Sequence, residues 1–194
     1  KKIRSGSTNA MNVPPKDGFC IENFSFDCIL VCVRCLVNLS NHNVHVCKSI
    51  GTKDALSALT RLFFIQAPEK TLLDIRLLGL AVILNVFESY PHSRVLIREV
   101  KVRQMSSIGF FFGMFLSSLP DVNVSEPTHG PNQILSAYLF LFLVVCSVDC
   151  KDNNNDVMSR FDACSHAKKE DLKAFFTANV SKVSSIFRQY DGNE

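Results

Sequence analysis

Lys70-Thr-Leu-Leu-Asp-Ile-Arg-Leu-Leu-Gly-Leu-Ala-Val-Ile-Leu-Asn-Val-Phe-Glu-Ser-Tyr90 is the stretch that decides the fold. Its apolar residues follow helical spacing, and Pro91 stops the helix. From Leu77 to Phe87 nearly every position is apolar. A helix that is hydrophobic all round must be covered on all sides, so this one is expected at the centre.

Working upstream, Ala67-Pro68 separates it from a helix expected over Lys53–Gln66, with Thr52 as N-cap. A short helix is expected at Val44–Ile50, stopped by Gly51. Before it, Phe24–Ser40 carries Ile29, Cys32, Val33, Leu36 and Leu39 on one stripe. Residues 1–20 are polar and basic and read as a flexible tail or linker. Residues 21–194 read as one helical domain. The chain begins at Lys1, so a fragment of a longer protein is expected.

Working downstream, one helix is expected over Val95–Leu119, with a break near Gly109. A loop with Pro120, Pro127 and Pro131 leads to a helix over Asn132–Val148. Asp149–Asp156 is polar and expected exposed, and a last amphipathic helix is expected over Lys168–Gln189. No strand-like alternation competes, so the expected class is all-α.

The helices repeat. At a shift of 47 residues (85 minus 38), Asn38 meets Asn85, Val33 meets Leu80, Leu36 meets Ile83 and Leu39 meets Val86. Ile50 likewise meets Ile97. Each Asn is expected to hydrogen-bond the adjacent turn and lock a helix corner. A period near 40–47 belongs to HEAT and armadillo units, which bury their faces by stacking on neighbours. The expected architecture is therefore a HEAT/armadillo-like α-solenoid.

Composition narrows the function classes. Of 194 residues, 47% are hydrophobic and 20% charged, a globular balance. Net charge is 21 minus 18, or +3, too even to point to direct nucleic-acid binding. The most apolar runs, 104–120 and 132–148, are about 17 residues each, short of the roughly 20 that span a bilayer. They are expected to be core helices, with membrane association as the alternative.

Eight cysteines raise a metal reading. Cys28, Cys32 and Cys35 fall at i, i+4, i+7, one face of a helix, and are expected in the core. Cys32-Val-Arg-Cys35 with His45 and Cys47 does not match the two short turn-borne pairs of a zinc site. No metal or cofactor is expected. No phosphate-binding glycine loop, Gly-x-Ser-x-Gly elbow or His-Glu-x-x-His occurs. His42, His45, His92, His129 and His166 are dispersed. Pairing Cys32 with His45 as nucleophile and base fails, because an apolar helix raises a thiol's pKa. The chain reads as non-enzymatic.

Candidate binding residues remain. Arg94, Arg98, Lys101 and Arg103 surround the single acid Glu99. They form either a solvated helix face or a contact for an acidic partner. Asp74 and Arg76 open the central helix, where an acid suits the helix dipole and the pair suits a repeat interface. Ile134 and Tyr138 lie four apart on one face, as core or as an apolar patch for a partner.

Three segments carry a family resemblance: Cys35-Leu-Val-Asn-Leu-Ser40, Ile134-Leu-Ser-Ala-Tyr138 and Asp74-Ile-Arg-Leu-Leu-Gly-Leu-Ala-Val-Ile-Leu-Asn-Val-Phe-Glu88. The last resembles the Asp-Ile-Arg-x-Leu-Gly-Leu…Leu-x-Asn-Leu-x-Glu stretch in the C-terminal HEAT-repeat domain of the Wapl (wings apart-like) family of cohesin release factors. The resemblance spans about residues 24–150 and is strongest over 72–90. It implies a non-enzymatic platform in the nucleus, associated with chromatin and acting in sister chromatid cohesion and the cell cycle. Implied partners are cohesin's ATPase head, its kleisin and its HEAT-repeat accessory subunits, with no direct contact to nucleic acid or membrane. The chain departs from the family in having only a short Pro-rich loop at 119–131, where animal members carry a long acidic insertion. The family's Phe-Gly-Phe motifs are also absent from this sequence. Another armadillo/HEAT adaptor, unrelated to cohesin, is the alternative.

Overall fold

In the computed structural model of the chain, residues 26–119, 131–166 and 168–173 are described. The tail at 1–20, the loop at 120–130 and most of the expected last helix lie outside the described residues. The described fold is all-α apart from one small hairpin.

Helix α1 spans Phe26–Ser40, α2 Val44–Ile50 and α3 Lys53–Arg61, followed by a 3-10 turn at Leu62–Phe64. The central stretch forms α4, Glu69–Ser89. Then come α5 at His92–Glu99, strands β1 (Lys101–Val102) and β2 (Met105–Ser106), and α6 at Ser107–Ser118. Helices α7, Pro131–Ser147, and α8, Lys151–Asp162, complete the order.

Side chains set the starts of several helices. Asn43 Oδ1 accepts from Val46 N at 3.1 Å, and Thr52 Oγ1 accepts from Ala55 N at 3.3 Å. Ser106 Oγ accepts from Gly109 N at 3.1 Å. Gly51 stands at the end of α2, where a Cβ would sit 2.7 Å from both the Cys47 carbonyl and the Tyr90 ring.

As its composition requires, α4 packs against α1 and α7 and also meets α2. Ile75, Leu80, Val82, Ile83, Val86 and Phe87 are fully buried. A second set of contacts runs from α3 to α5, from α5 to α6 and from α6 to α8, with α6 and α8 also on α7. Phenylalanines join these sets. Phe63 meets Phe111 edge-to-face at 4.9 Å, Phe111 meets Phe142 at 4.4 Å, and Phe142 meets Phe87 at 5.6 Å. Each buried ring contributes roughly 1.5–3 kcal/mol by removal from water, and each ring pair about 0.5–1.5 kcal/mol more.

Asn85 does lock a corner. Its Nδ2 donates to Val37 O at 3.3 Å and to Ser40 Oγ at 3.0 Å, tying α4 to the end of α1. Cys47 Sγ donates to Ser40 O at 3.1 Å beside it. Asn38, its counterpart in the repeat, is exposed instead.

Three expectations are corrected. Val95–Leu119 is not one helix: α5 ends at Glu99, and a hairpin intervenes before α6. Val100 and Val102 are buried while Lys101 is exposed, a two-residue alternation too short to stand out in sequence. Asp149–Asp156 is mostly exposed, as expected, but Asn153 within it is buried, because most of the stretch belongs to α8, where Asn153 and Val157 turn inward at i, i+4. The cysteines Cys28, Cys32 and Cys35 are exposed, as is Leu39. Helix α1 is apolar on more than one face, and packing on α4 selects the face with Ile29, Val33 and Leu36.

Candidate interaction surface

The structure separates the basic cluster into two pairs. Arg94 is half-buried, and its guanidinium is spent inside the fold. Its Nε donates to Phe87 O at 3.0 Å and its Nη1 to Val148 O at 3.1 Å. These carbonyls lie at the ends of α4 and α7, where helices leave acceptors unsatisfied. Arg98 pairs with Asp152 at 2.7 Å, both exposed, which is worth under about 1 kcal/mol. Lys101 and Arg103 are exposed on the hairpin and form no ion pair among the described residues. Glu99, the acid of the cluster, is taken by Lys53 at 3.1 Å.

Asp74 and Arg76 are not brought together as an ion pair among the described residues. Arg76 Nη2 instead donates to Phe63 O at 3.1 Å, closing the 3-10 turn onto α4. Its Nε is buried without an acceptor among the described residues, and desolvation lowers the guanidinium pKa. Asp74 is half-buried on α4.

Ile134 and Tyr138 are exposed, at 54% and 37%. Leu141, Val144 and Val148 extend the same apolar exposure along and beyond α7. Helix α7 carries no Asp, Glu, Lys or Arg at all. Its inner face, with Leu135, Leu139, Phe142, Leu143 and Cys146, belongs to the core. The sequence pattern alone could not tell these two faces apart.

Two features escaped sequence reading. Asn153 is fully buried and donates through Nδ2 to Arg94 O at 2.6 Å and to Cys146 O at 2.8 Å. It joins α5, α7 and α8 at one point. The i, i+4 pairing of Asn153 with Val157 was the only signal. The second feature is a shallow, open groove of about 530 Å³ lined by Phe64, Val102, Arg103, Gln104, Met105 and Phe110. These residues come from three separate segments, so no local motif announces it.

Burial pushes the Cys146 thiol up to about 12, leaving it protonated at neutral pH. Among the described residues no group of three His, Cys, Asp or Glu could hold a metal ion. No helix among them is long and apolar enough to cross a membrane.

No family model, curated protein or solved structure matches this chain. The surfaces above are therefore read on their own geometry.

Proposed function

We propose that the chain is a helical-repeat, non-enzymatic interaction module of the Wapl type, acting in the nucleus to promote release of cohesin from chromatin. The observation that carries this reading is the order of packing. Long helix α1 and short helix α2 are followed, after α3, by long helix α4 and short helix α5, whereas the same shift carries most of α3 onto the hairpin rather than onto α6. The 47-residue shift places α1 within α4 and α2 largely on α5. α4 then packs on α1, and α7 packs on α4, as successive units of a HEAT or armadillo array do. The Wapl assignment itself rests on the sequence resemblance over residues 72–90.

On this reading the partner surfaces are the exposed strip of α7 around Ile134 and Tyr138 and the hairpin cations Lys101 and Arg103. Arg94, Arg76 and Arg98 serve the fold first. The proposed partners are cohesin's ATPase head, kleisin and HEAT-repeat accessory subunits, with neither cofactor nor catalysis.

The test is retention of purified cohesin subunits on the immobilised chain. Binding of at least one subunit, weakened by Ile134→Asp and Tyr138→Asp in a folded variant, is the expected result. A folded chain that retains none of them would leave an adaptor unrelated to cohesin.

A further inference from the structure

The hairpin between α5 and α6 departs from what its backbone asks for. Its two turn residues are Arg103 and Gln104, with φ of 54° and 113°. A two-residue hairpin loop with both central φ positive strongly favours Asn-Gly, Asp-Gly or Gly-Gly. Neither Arg nor Gln relieves that conformation, and such strain persists only where surrounding structure holds it. Sequence economy would have placed Asn-Gly here, and no core contact requires an arginine in its place: Arg103 and Gln104 are both exposed.

The strained turn holds Arg103 over an aromatic floor. The Arg103 guanidinium carbon lies 5.2 Å from the Phe64 ring centre. Phe64 in turn stacks on Phe110 at 4.7 Å, and Phe64 keeps 36% of its surface exposed. Val102 and Met105 are directly paired across the hairpin, so their side chains share one face. Met105 is 50% exposed and supplies a flexible, polarisable wall. Together these residues line the groove of about 530 Å³. No carboxylate lines it, and Arg103 has no ion-pair partner among the described residues. An arginine stacked on a ring still has its donors free at the edge for a carboxylate.

The geometry points to a docking groove for a protein segment that presents one apolar side chain beside a carboxylate. The apolar side chain fills the space between Phe64, Met105 and Phe110. The carboxylate takes the open edge of Arg103, which the positive-φ turn holds at the groove mouth. Charge complementarity selects an acidic segment: among the described residues the groove is lined by a cation and by no acid. The inference rests on the interaction-module reading but not on cohesin as the partner, so the two can fail separately.

The test uses the full chain against capped hexapeptides carrying one Phe, Leu or Met flanked by Asp and Glu. A parallel set replaces the acids by Asn and Gln. Binding is measured by fluorescence anisotropy and mapped by amide chemical shifts. The acidic set is expected to bind at least tenfold tighter than the neutral set, with shifts centred on Phe64, Met105 and Phe110. Arg103→Gln should weaken binding about tenfold. The double variant Arg103→Asn with Gln104→Gly should lose binding as much while raising the thermal midpoint, because it gives the turn its favoured residues. Equal binding of the two peptide sets overturns the proposal. So does unchanged affinity in Arg103→Gln, or shifts confined to another surface. Loss of peptide binding with cohesin retention intact would overturn the groove alone; the reverse would overturn the cohesin assignment and leave the groove standing.

Discussion

Replacing Asn153 by Asp tests the buried junction of α5, α7 and α8. The change keeps the shape and exchanges the Nδ2 donor for an oxygen. In the native fold that donor faces two carbonyl oxygens, Arg94 O at 2.6 Å and Cys146 O at 2.8 Å, in a fully buried position. Losing two hydrogen bonds removes about 2 kcal/mol, at roughly 1 kcal/mol each. A carboxylate facing two carbonyls without water cannot stay ionised cheaply, so it binds a proton in the folded state. An unfolded Asp titrates near 3.9, so holding that proton at pH 7 costs about 4 kcal/mol, at 1.36 kcal/mol per unit. The protonated acid recovers one donor, which leaves a net loss of roughly 5 kcal/mol, a large share of a typical domain's stability. The folded-state pKa is raised, so the penalty shrinks as pH falls. From pH 7 to pH 5 the variant should regain about 2.7 kcal/mol relative to wild type. Asn153→Leu is the control: it loses the donors, also removes the unpaired buried Oδ1, and carries no such pH dependence. Urea unfolding followed by far-UV circular dichroism suits a chain that has no Trp. An Asp variant within about 1 kcal/mol of wild type at pH 7, or a deficit indifferent to pH, would refute the reasoning.

The remaining predictions concern glycines and thiols. Gly113→Ala places its Cβ in open space on α6 and should stabilise by up to about 1 kcal/mol. Gly109→Ala should gain about 1 kcal/mol less, because its Cβ lies 2.8 Å from the Arg160 guanidinium and pushes it from Asp156, now at 2.9 Å; equal thermal midpoints would contradict this. Cys146, with its thiol near 12, favours the fold fully below pH 9, where the unfolded thiol is still protonated. As pH rises through 9 towards 12 the advantage over Cys146→Ala should shrink by about 1.4 kcal/mol per unit; parallel urea midpoints at pH 8.5 and 10.5 would contradict it. Cys28, Cys32 and Cys35 should react with a neutral thiol reagent within the native state, whereas Cys47 and Cys146 should react only on unfolding. Mass spectrometry of the labelled peptides decides this, and early labelling of Cys47 would show that the α1–α2 corner opens locally.

Much of the secondary structure could be read from residue order alone. The all-round apolar pattern of Leu77–Phe87 predicts a central helix, and α4 is central. Thr52 and Gly51 predict a start and a stop, and both stand where their chemistry suits them. These features are local: capping, propensity and periodicity act within a turn or two of the chain. The candidate site was less legible. Arg94, Arg98, Lys101 and Arg103 are equivalent in a sequence, yet two serve carbonyls or an acid elsewhere in the fold and two form no ion pair among the described residues.

Tertiary packing decided what local pattern left degenerate. Helix α1 offers two apolar faces, and contact with α4 buries Val33 while leaving Cys28, Cys32 and Cys35 in water. Helix α7 carries no charged side chain by sequence, and among the described residues α4, α6 and α8 cover one face while Ile134, Tyr138, Leu141 and Val144 stay exposed. The partners of Asn153 are 59 and 7 residues away, and the groove at Arg103 joins Phe64 to Phe110. Periodicity tells which positions share a face; it carries no information on which face another element will cover. That choice depends on contacts made across the chain, and so only the folded molecule makes it.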